Sequence, residues 1–500
     1  MNRLIQQISD RQARIIVLIA GALLPLAFSP YDLIPLAIIS PAVLFVLWSQ
    51  ASTRQAFWLG YFFGLGMFGV GASWVYVSIH EYGNTYLAVA VFVTAGFIAF
   101  LALFPALLGY GLARLYPNNK IRLLLAIPAG WSLFEWIRGW ILSGFPWINL
   151  AYAQTDSPLG GYAALAGVYG TGLVVALCAA LLAAIMIYSG RVRIVCALAF
   201  VLLFIVGGLL KQVTWTQSVG DPIKVSLIQG NISQHVKWKS SERWKQLDLY
   251  RTLTQQLWDS DLVIWPETAV PAFYHQLKDS YFAALGKEAR EHKTDIMAGL
   301  PLVDQSTRQY YNGVVSVGSK VSFYKKQHLV PFGEYVPLES LLRGLIGFFN
   351  LPMSSFSAGD SGQPLIEVAG HKVGTSICYE DAFGELVIQA LPEATLLVNV
   401  SNDAWFGTSM APHQHLQMAR MRALESGRPL LRATNTGVTA IIDDRGALQA
   451  IAPQFRQYIL TASIQPMTGA TPYVMTGNLP AVAVILLMLI AAFIIGRRTL

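Results

Sequence analysis

Up to about residue 220 this chain is a series of long apolar runs, and residues 15–220 carry very few charges. Hydrocarbon offers no water to satisfy backbone N–H and C=O groups, so runs of this kind fold as membrane-crossing helices. One crossing takes roughly 20 apolar residues. About seven candidate spans precede residue 220, near 14–29, 33–49, 56–79, 86–113, 122–141, 160–188 and 193–211, and one more lies near 478–496. Arg3, Arg11 and Arg14 precede the first, as in a signal peptide. No small-residue cleavage site follows and further spans do, so an uncleaved first helix is expected.

Basic residues next to spans stay on the cytoplasmic side. They cluster at Arg3, Arg11 and Arg14, at Arg54, at Arg114, Lys120 and Arg122, at Arg191 and Arg193, and at Arg497 and Arg498. The alternate loops, 29–32, 80–84 and 144–160, are almost free of Lys and Arg. Both termini are therefore expected in the cytoplasm and the segment after residue 220 outside it. Glu135 and Arg138 are spaced to share one helix face. Intramembrane charges are often functional, and a structural pair near the interface is the other reading. The loop Gly144-Phe-Pro-Trp-Ile-Asn149 reads either as an interfacial anchor or as part of a lipid-facing cleft.

From 221 to 470 the composition becomes that of a soluble domain. Over the whole chain 54% of residues are hydrophobic and 13% charged, too apolar for an ordinary soluble protein. The net charge of +7 points to no nucleic acid, because the basic residues sit at the ends of apolar segments and form no continuous patch. The expected organisation is a membrane domain over 1–220, a globular domain over 221–470, and a last helix with its tail over 471–500. Three cysteines make no disulfide framework. Cys178 and Cys196 fall inside apolar spans, which leaves Cys378 a free thiol. No metal cluster or cofactor motif is visible. His413 and His415, two apart on a helix, lie on different faces and make a poor metal pair.

Within the globular part, short runs rich in Val, Ile and Leu alternate with helical stretches. Strands are expected at 225–228, 262–265, 296–300, 313–317, 373–377, 396–400 and 438–442, and helices at 240–258, 278–292 and 414–426. Asp443-Asp-Arg-Gly446 reads as a hairpin turn. Strands alternating with helices imply a layered α/β fold. The fold class is thus a polytopic α-helical membrane domain of about eight spans with an extracytoplasmic α/β domain.

Three β-type runs in this domain end in a chargeable side chain. Leu262-Val-Ile-Trp-Pro-Glu267 ends in a carboxylate, and Pro266 stops the strand by removing a donor. Tyr324-Lys-Lys-Gln-His328 holds an amine, and strand alternation sends Lys325 and Lys326 to opposite faces. Lys372-Val-Gly-Thr-Ser-Ile-Cys-Tyr-Glu-Asp381 presents a thiol at the strand end. Glu334 ends Pro331-Phe-Gly-Glu, a turn able to bring in a second carboxylate. A carboxylate, an amine and a thiol suffice for nucleophilic acyl chemistry. An ammonium beside a thiol favours the thiolate and can stabilise an oxyanion.

Together these segments resemble the Glu-Lys-Cys triad of the nitrilase (carbon–nitrogen hydrolase) superfamily over about 222–466. The resemblance implies an αββα sandwich with Glu267 as general base, Lys326 as oxyanion stabiliser and Cys378 as nucleophile. The family pattern places its lysine two residues before His328, which selects Lys326. With the flanking spans, the chain is similar to the membrane-bound apolipoprotein N-acyltransferases of bacterial inner membranes. Shared segments include Gln229-Gly-Asn-Ile with Trp238, Tyr311-Asn312, His328-Leu-Val-Pro-Phe-Gly-Glu-Tyr-Val-Pro337, Ser401-Asn-Asp-Ala-Trp-Phe-Gly407, and Met418-Ala-Arg-Met-Arg-Ala-Leu-Glu425 with Gly427-Arg-Pro-Leu-Leu-Arg432.

That resemblance implies ping-pong transfer of an acyl chain from a phospholipid, through a Cys378 thioester, to the α-amino group of a diacylglyceryl-apolipoprotein. It implies a periplasmic catalytic domain at the lipid bilayer and no cofactor, and a monomer is expected. Trp238 and Tyr379 are expected to shape the pocket, and Glu334 and Glu380 to position the lysine and loops. Two other readings are a membrane-tethered amidase acting on a small substrate and a transporter or scaffold with an inactive outer domain.

Overall fold

A computed structural model describes residues 8–83, 85–336 and 355–498. Arg3 of the basic tail, Asn84 of the third loop and Pro337 of the His328–Pro337 segment lie outside the described residues. The chain divides into two units. One comprises Met1–Tyr76, Leu87–Thr214 and Met475–Leu500, the other Val77–Tyr86 and Trp215–Val474.

The first unit is helical. Among the described residues, four helices are long and apolar enough to cross a membrane: Leu87–Leu115, Pro158–Ile187, Gly190–Leu210 and Leu479–Arg498. The bent pair Thr53–Gly71 and Val75–Tyr82 makes a fifth if it is one span. The other apolar segments are helical but shorter or interrupted. Asp10–Leu23 tightens into a 3-10 turn at Leu24–Ala27, where Pro25 stands. Leu36–Trp48 has 13 residues with Pro41 inside, and Ile127–Arg138 has 12. Membrane helices lack a hydrophobic force between them and pack through small residues. Gly21 shows this, since a Cβ there would lie 2.1 Å from the Phe63 carbonyl oxygen.

Glu135 and Arg138 are both buried. Glu135 Oε1 accepts from the Leu150 N–H at 3.0 Å, and Arg138 Nη1 donates to the Trp147 carbonyl at 2.6 Å. The two charges thus tie down the loop after their own helix. Trp147 is buried, with its ring on Trp74 (centroids 5.3 Å apart) and Phe145 (5.7 Å). An interfacial anchor would be exposed, so Trp147 serves as core. The exposed apolar residues nearby are Trp140, Ile141 and Leu142.

The second unit is built on two six-stranded sheets. Its described strands are β1 (Thr216–Ser218), β2 (Ile223–Gln229), β3 (Leu262–Ile264), β4 (Asp295–Val303), β5 (Tyr310–Val317), β6 (Ser322–Lys325), β7 (Ile366–Val368), β8 (His371–Ile377), β9 (Leu396–Ser401), β10 (Leu430–Thr434), β11 (Ala440–Ile442), β12 (Leu448–Ile451), β13 (Tyr458–Ile464) and β14 (Met467–Gly469). The sheet orders are β13-β2-β3-β4-β5-β6 and β12-β11-β10-β9-β8-β7, and β1 pairs with β14.

Period-two alternation places the layers. Val225, Leu227, Leu262, Ile264 and Met297 of one sheet share a core with Val373, Ile377, Val398, Val400, Leu431 and Ile441 of the other. The alternate residues Ile228, Val263, Ile296 and Ala298 face Leu247, Tyr250, Leu285 and Ala289 of the helices Arg243–Thr254 and Ala283–His292. On the far side Leu397, Leu430 and Ile442 meet Leu416, Ala419 and Ala423 of the helix Ala411–Ser426. The layers therefore run helix, sheet, sheet, helix. Asp443–Gly446 makes the β11–β12 hairpin turn, with Gly446 N–H bonded to the Asp443 carbonyl at 3.1 Å. β7, β10, β12 and β13 carry no run long or apolar enough to stand out in the sequence, and β6 is visible only through its lysine segment. Arg432 breaks the pattern of β10, β12 is largely exposed, and in β13 Leu460 and Ile464 alone are buried.

Candidate active site

β2, β3 and β4 are parallel, as are β8, β9 and β10. Strands β3, β6 and β8 release their chains where the three chargeable side chains begin. Glu267 follows β3 after Trp265-Pro266. The turn packs on Gly299 of β4, where a Cβ would lie 2.5 Å from the Pro266 carbonyl oxygen and 2.7 Å from the Glu267 Cα. Glu267 Oε1 accepts from Asn312 Nδ2 at 2.7 Å. Burial, opposed first by Lys326, pushes this carboxyl above its usual range, which makes it a stronger base when ionised.

Lys326 is the first residue past β6. It is 1% exposed, and its Nζ lies 2.7 Å from Glu334 Oε2. Burial lowers its pKa, but Glu334 and Glu267 outweigh burial and hold the ammonium above its ordinary range. Lys325 goes elsewhere, its Nζ 4.1 Å from the Tyr311 ring centroid. Asn312 Nδ2 bridges Glu267 and Glu334, reaching Glu334 Oε1 at 2.8 Å.

Cys378 opens the turn after β8 with φ of 52°. The left-handed region is strained for a non-glycine residue and is common at functional sites. The thiol is half-buried. Burial first and Glu267 second push its pKa well above the ordinary value, with Lys326 opposing. Glu267 and Lys326 thus act on the sulfur in opposite senses.

Glu380 is fully buried. Its oxygens accept from Tyr324 Oη and from the N–H groups of Gln327, His328 and Ile377. It thereby joins the segment after Lys326 to the turn at Cys378. Burial, opposed by Lys326, raises its pKa to about 7. Tyr379 packs edge-on to Phe383 at 5.0 Å and lies near His328 at 5.8 Å. Trp238 is half-buried at the end of the short helix Gln234–Lys237.

Two groups escaped the sequence reading. Lys237 is 1% exposed and donates to the Glu267 carbonyl at 3.1 Å. Burial lowers its pKa to about 8, against Glu267 and Cys378. A basic residue directly before Trp238 gave no sign that it turns inward. The second group, Asp381, Asp403, His415 and Arg432, lies behind Cys378. One signal was available in each of two elements. His415 continues the stripe of Leu416, Ala419 and Ala423, and Arg432 sits inside an apolar strand.

Residues 20–181 match the family model for the N-terminal domain of apolipoprotein N-acyltransferase, and residues 224–473 match that for carbon-nitrogen hydrolase. The chain is 46% identical over 472 residues to apolipoprotein N-acyltransferase from Methylococcus capsulatus, covering 94% of each. It is 40% identical over 484 residues to the one from Coxiella burnetii, covering 96% of this chain and 99% of the relative. Among solved structures, Saccharomyces cerevisiae Nit3, a nitrilase-superfamily member, aligns over 51% of this chain and 93% of its own at 20% identity, with a TM-score of 0.39.

Proposed function

Since the chain belongs to the apolipoprotein N-acyltransferases, we propose that it transfers an acyl chain from phospholipid to the α-amino group of diacylglyceryl-apolipoproteins through a thioester at Cys378. The observation that carries the residue assignment is the left-handed turn that sets Cys378 in the fields of Glu267 and Lys326.

Glu267 accepts the thiol proton as sulfur attacks the ester carbonyl, because a thiol pushed up by burial needs a base at the moment of attack. Lys326 stabilises the tetrahedral oxyanion. The proton returns from Glu267 to the departing lysophospholipid oxygen as the carbon–oxygen bond breaks. The acceptor amine then attacks the thioester and Glu267 takes its proton. The carbon–sulfur bond breaks, and the thiolate recovers the proton. Glu334 holds Lys326, Glu380 ties its loop to the nucleophile turn, and Trp238 and Tyr379 shape the pocket.

Both substrates are lipid-anchored, so the work takes place at a bilayer surface. The alternation of basic and neutral loops supports eight spans, cytoplasmic termini and a periplasmic α/β unit. The enzyme acts as a monomer and uses no cofactor.

Intact-protein mass spectrometry after incubation with phospholipid tests this. A hydroxylamine-sensitive gain of one acyl chain is expected in wild type and not in Cys378→Ala, and a diacylated lipopeptide with a free amino terminus should discharge it. Failure of wild type to gain the adduct with several phospholipids would overturn the thioester mechanism.

A further inference from the structure

Behind Cys378 four charged side chains are packed between the second sheet and the helix Ala411–Ser426. Asp381 comes from the turn after β8, Asp403 from the turn after β9, His415 from the helix and Arg432 from β10. Each is at most 1% exposed. Arg432 Nη1 donates to Asp381 Oδ2 and Nη2 to Asp403 Oδ2, both at 2.9 Å. His415 Nδ1 lies 3.0 Å from Asp403 Oδ1, and Nε2 lies 2.7 Å from Asp381 Oδ1.

Nε2 also lies 3.2 Å from the Cys378 carbonyl oxygen. Asn399 Nδ2 donates to that same oxygen at 3.3 Å, and Asn399 Oδ1 accepts from Arg432 at 2.7 Å. The left-handed Cys378 peptide is thus held from behind by two side chains that Arg432 and two carboxylates lock in place. Cys378, Asp403 and His415 also form a possible metal-ligand group. Arg432 already bonds Asp403 and Asp381, so its guanidinium supplies the positive charge there. We propose that His415 and Asn399 are positioning residues that act through the Cys378 carbonyl to fix the backbone presenting the sulfur. The proposal rests on Cys378 being the nucleophile.

Arg432 Nη2 also lies 2.8 Å from His415 Nδ1, so the guanidinium holds the ring as well as both carboxylates. A ring proton on Nε2 reaches both Asp381 and the Cys378 carbonyl.

Two isosteres separate this role from general structural support. His415→Gln places an amide nitrogen near the Nε2 position, and His415→Asn places one near Nδ1. Acyl-enzyme formation is followed by intact mass on the full-length protein with phosphatidylethanolamine. Iodoacetamide labelling of Cys378, resolved at the peptide level from Cys178 and Cys196, is followed in parallel. H415Q should stay within about threefold of wild type, and H415N should lose about tenfold to a hundredfold in both rates, with the half-saturating lipid concentration unchanged. Equal rates in the two variants would overturn the proposal.

If H415N does not fold, Asn399→Asp carries the test. Its carboxylate keeps an Arg432 partner but turns the other carbonyl donor into an acceptor. The same loss is expected, and a wild-type labelling rate would overturn the proposal. Absence of acyl-enzyme in wild type with Cys378 still labelled would remove the thioester mechanism instead, while the labelling comparison would still decide the positioning role.

Discussion

Lys326 Nζ lies 2.7 Å from Glu334 Oε2, with neither side chain more than 11% exposed. Two carboxylates therefore serve one amine, since Glu267 also acts on Lys326 and Asn312 joins the two acids. Glu334 also accepts from the Val330 N–H at 2.9 Å. This carboxylate therefore holds the ammonium and closes its own turn.

Glu334→Gln should break that arrangement. A buried cation left without its carboxylate costs about 3–5 kcal/mol, and an amide must aim either its N–H₂ at Lys326 or its oxygen away from Asn312. We expect a lower melting temperature and a fall in acyl-enzyme formation of about a hundredfold. Thermal unfolding and intact mass on the same preparation check both. Unchanged acylation would show that Glu267 alone holds Lys326.

Lys237 gives a pH signature. Its folded pKa of about 8 lies below the ordinary lysine value of 10.5. The unfolded chain then binds more protons between these values, so this group makes stability rise with pH from about 8 to about 10.5. The difference is worth about 3 kcal/mol. Lys237→Met should lose that part of the pH dependence and gain stability relative to wild type below pH 8. Denaturation across this range, wild type against variant, measures it, and parallel curves would refute the prediction.

In the helical unit, Arg138→Met should leave Glu135 buried without its cation and free the Phe145 and Trp147 carbonyls. A loss of about 3–5 kcal/mol is expected. Glu135→Gln combined with Arg138→Met should recover part of it, because the two sites are coupled. Unfolding in detergent of both single variants and the double variant supplies the cycle. Additive losses would mean that the two residues act independently.

Where the controlling physics was local, the chain could be read directly. Apolar runs locate the helices, since burying or bilayer-embedding a segment depends on its own hydropathy. Short runs rich in Val, Ile and Leu located β2, β3, β4, β5, β8, β9 and β11, and the residues just past β3, β6 and β8 carry Glu267, Lys326 and Cys378. Other features were settled only in three dimensions. Alternation said that Lys325 and Lys326 part company; the fold put Lys325 on Tyr311 and Lys326 on Glu334. Glu135 and Arg138 could be paired from their spacing, but their carbonyl and amide partners lie 7 to 15 residues away. Asp381, Asp403, His415 and Arg432 come from four separate segments. A buried charge is stable only with partners, and partners that far apart in sequence become neighbours only when sheet and helix pack. The sequence by itself therefore determined where reactive side chains leave their strands. Tertiary structure decided which charges meet, because pairing in a low-dielectric core depends on distances through space.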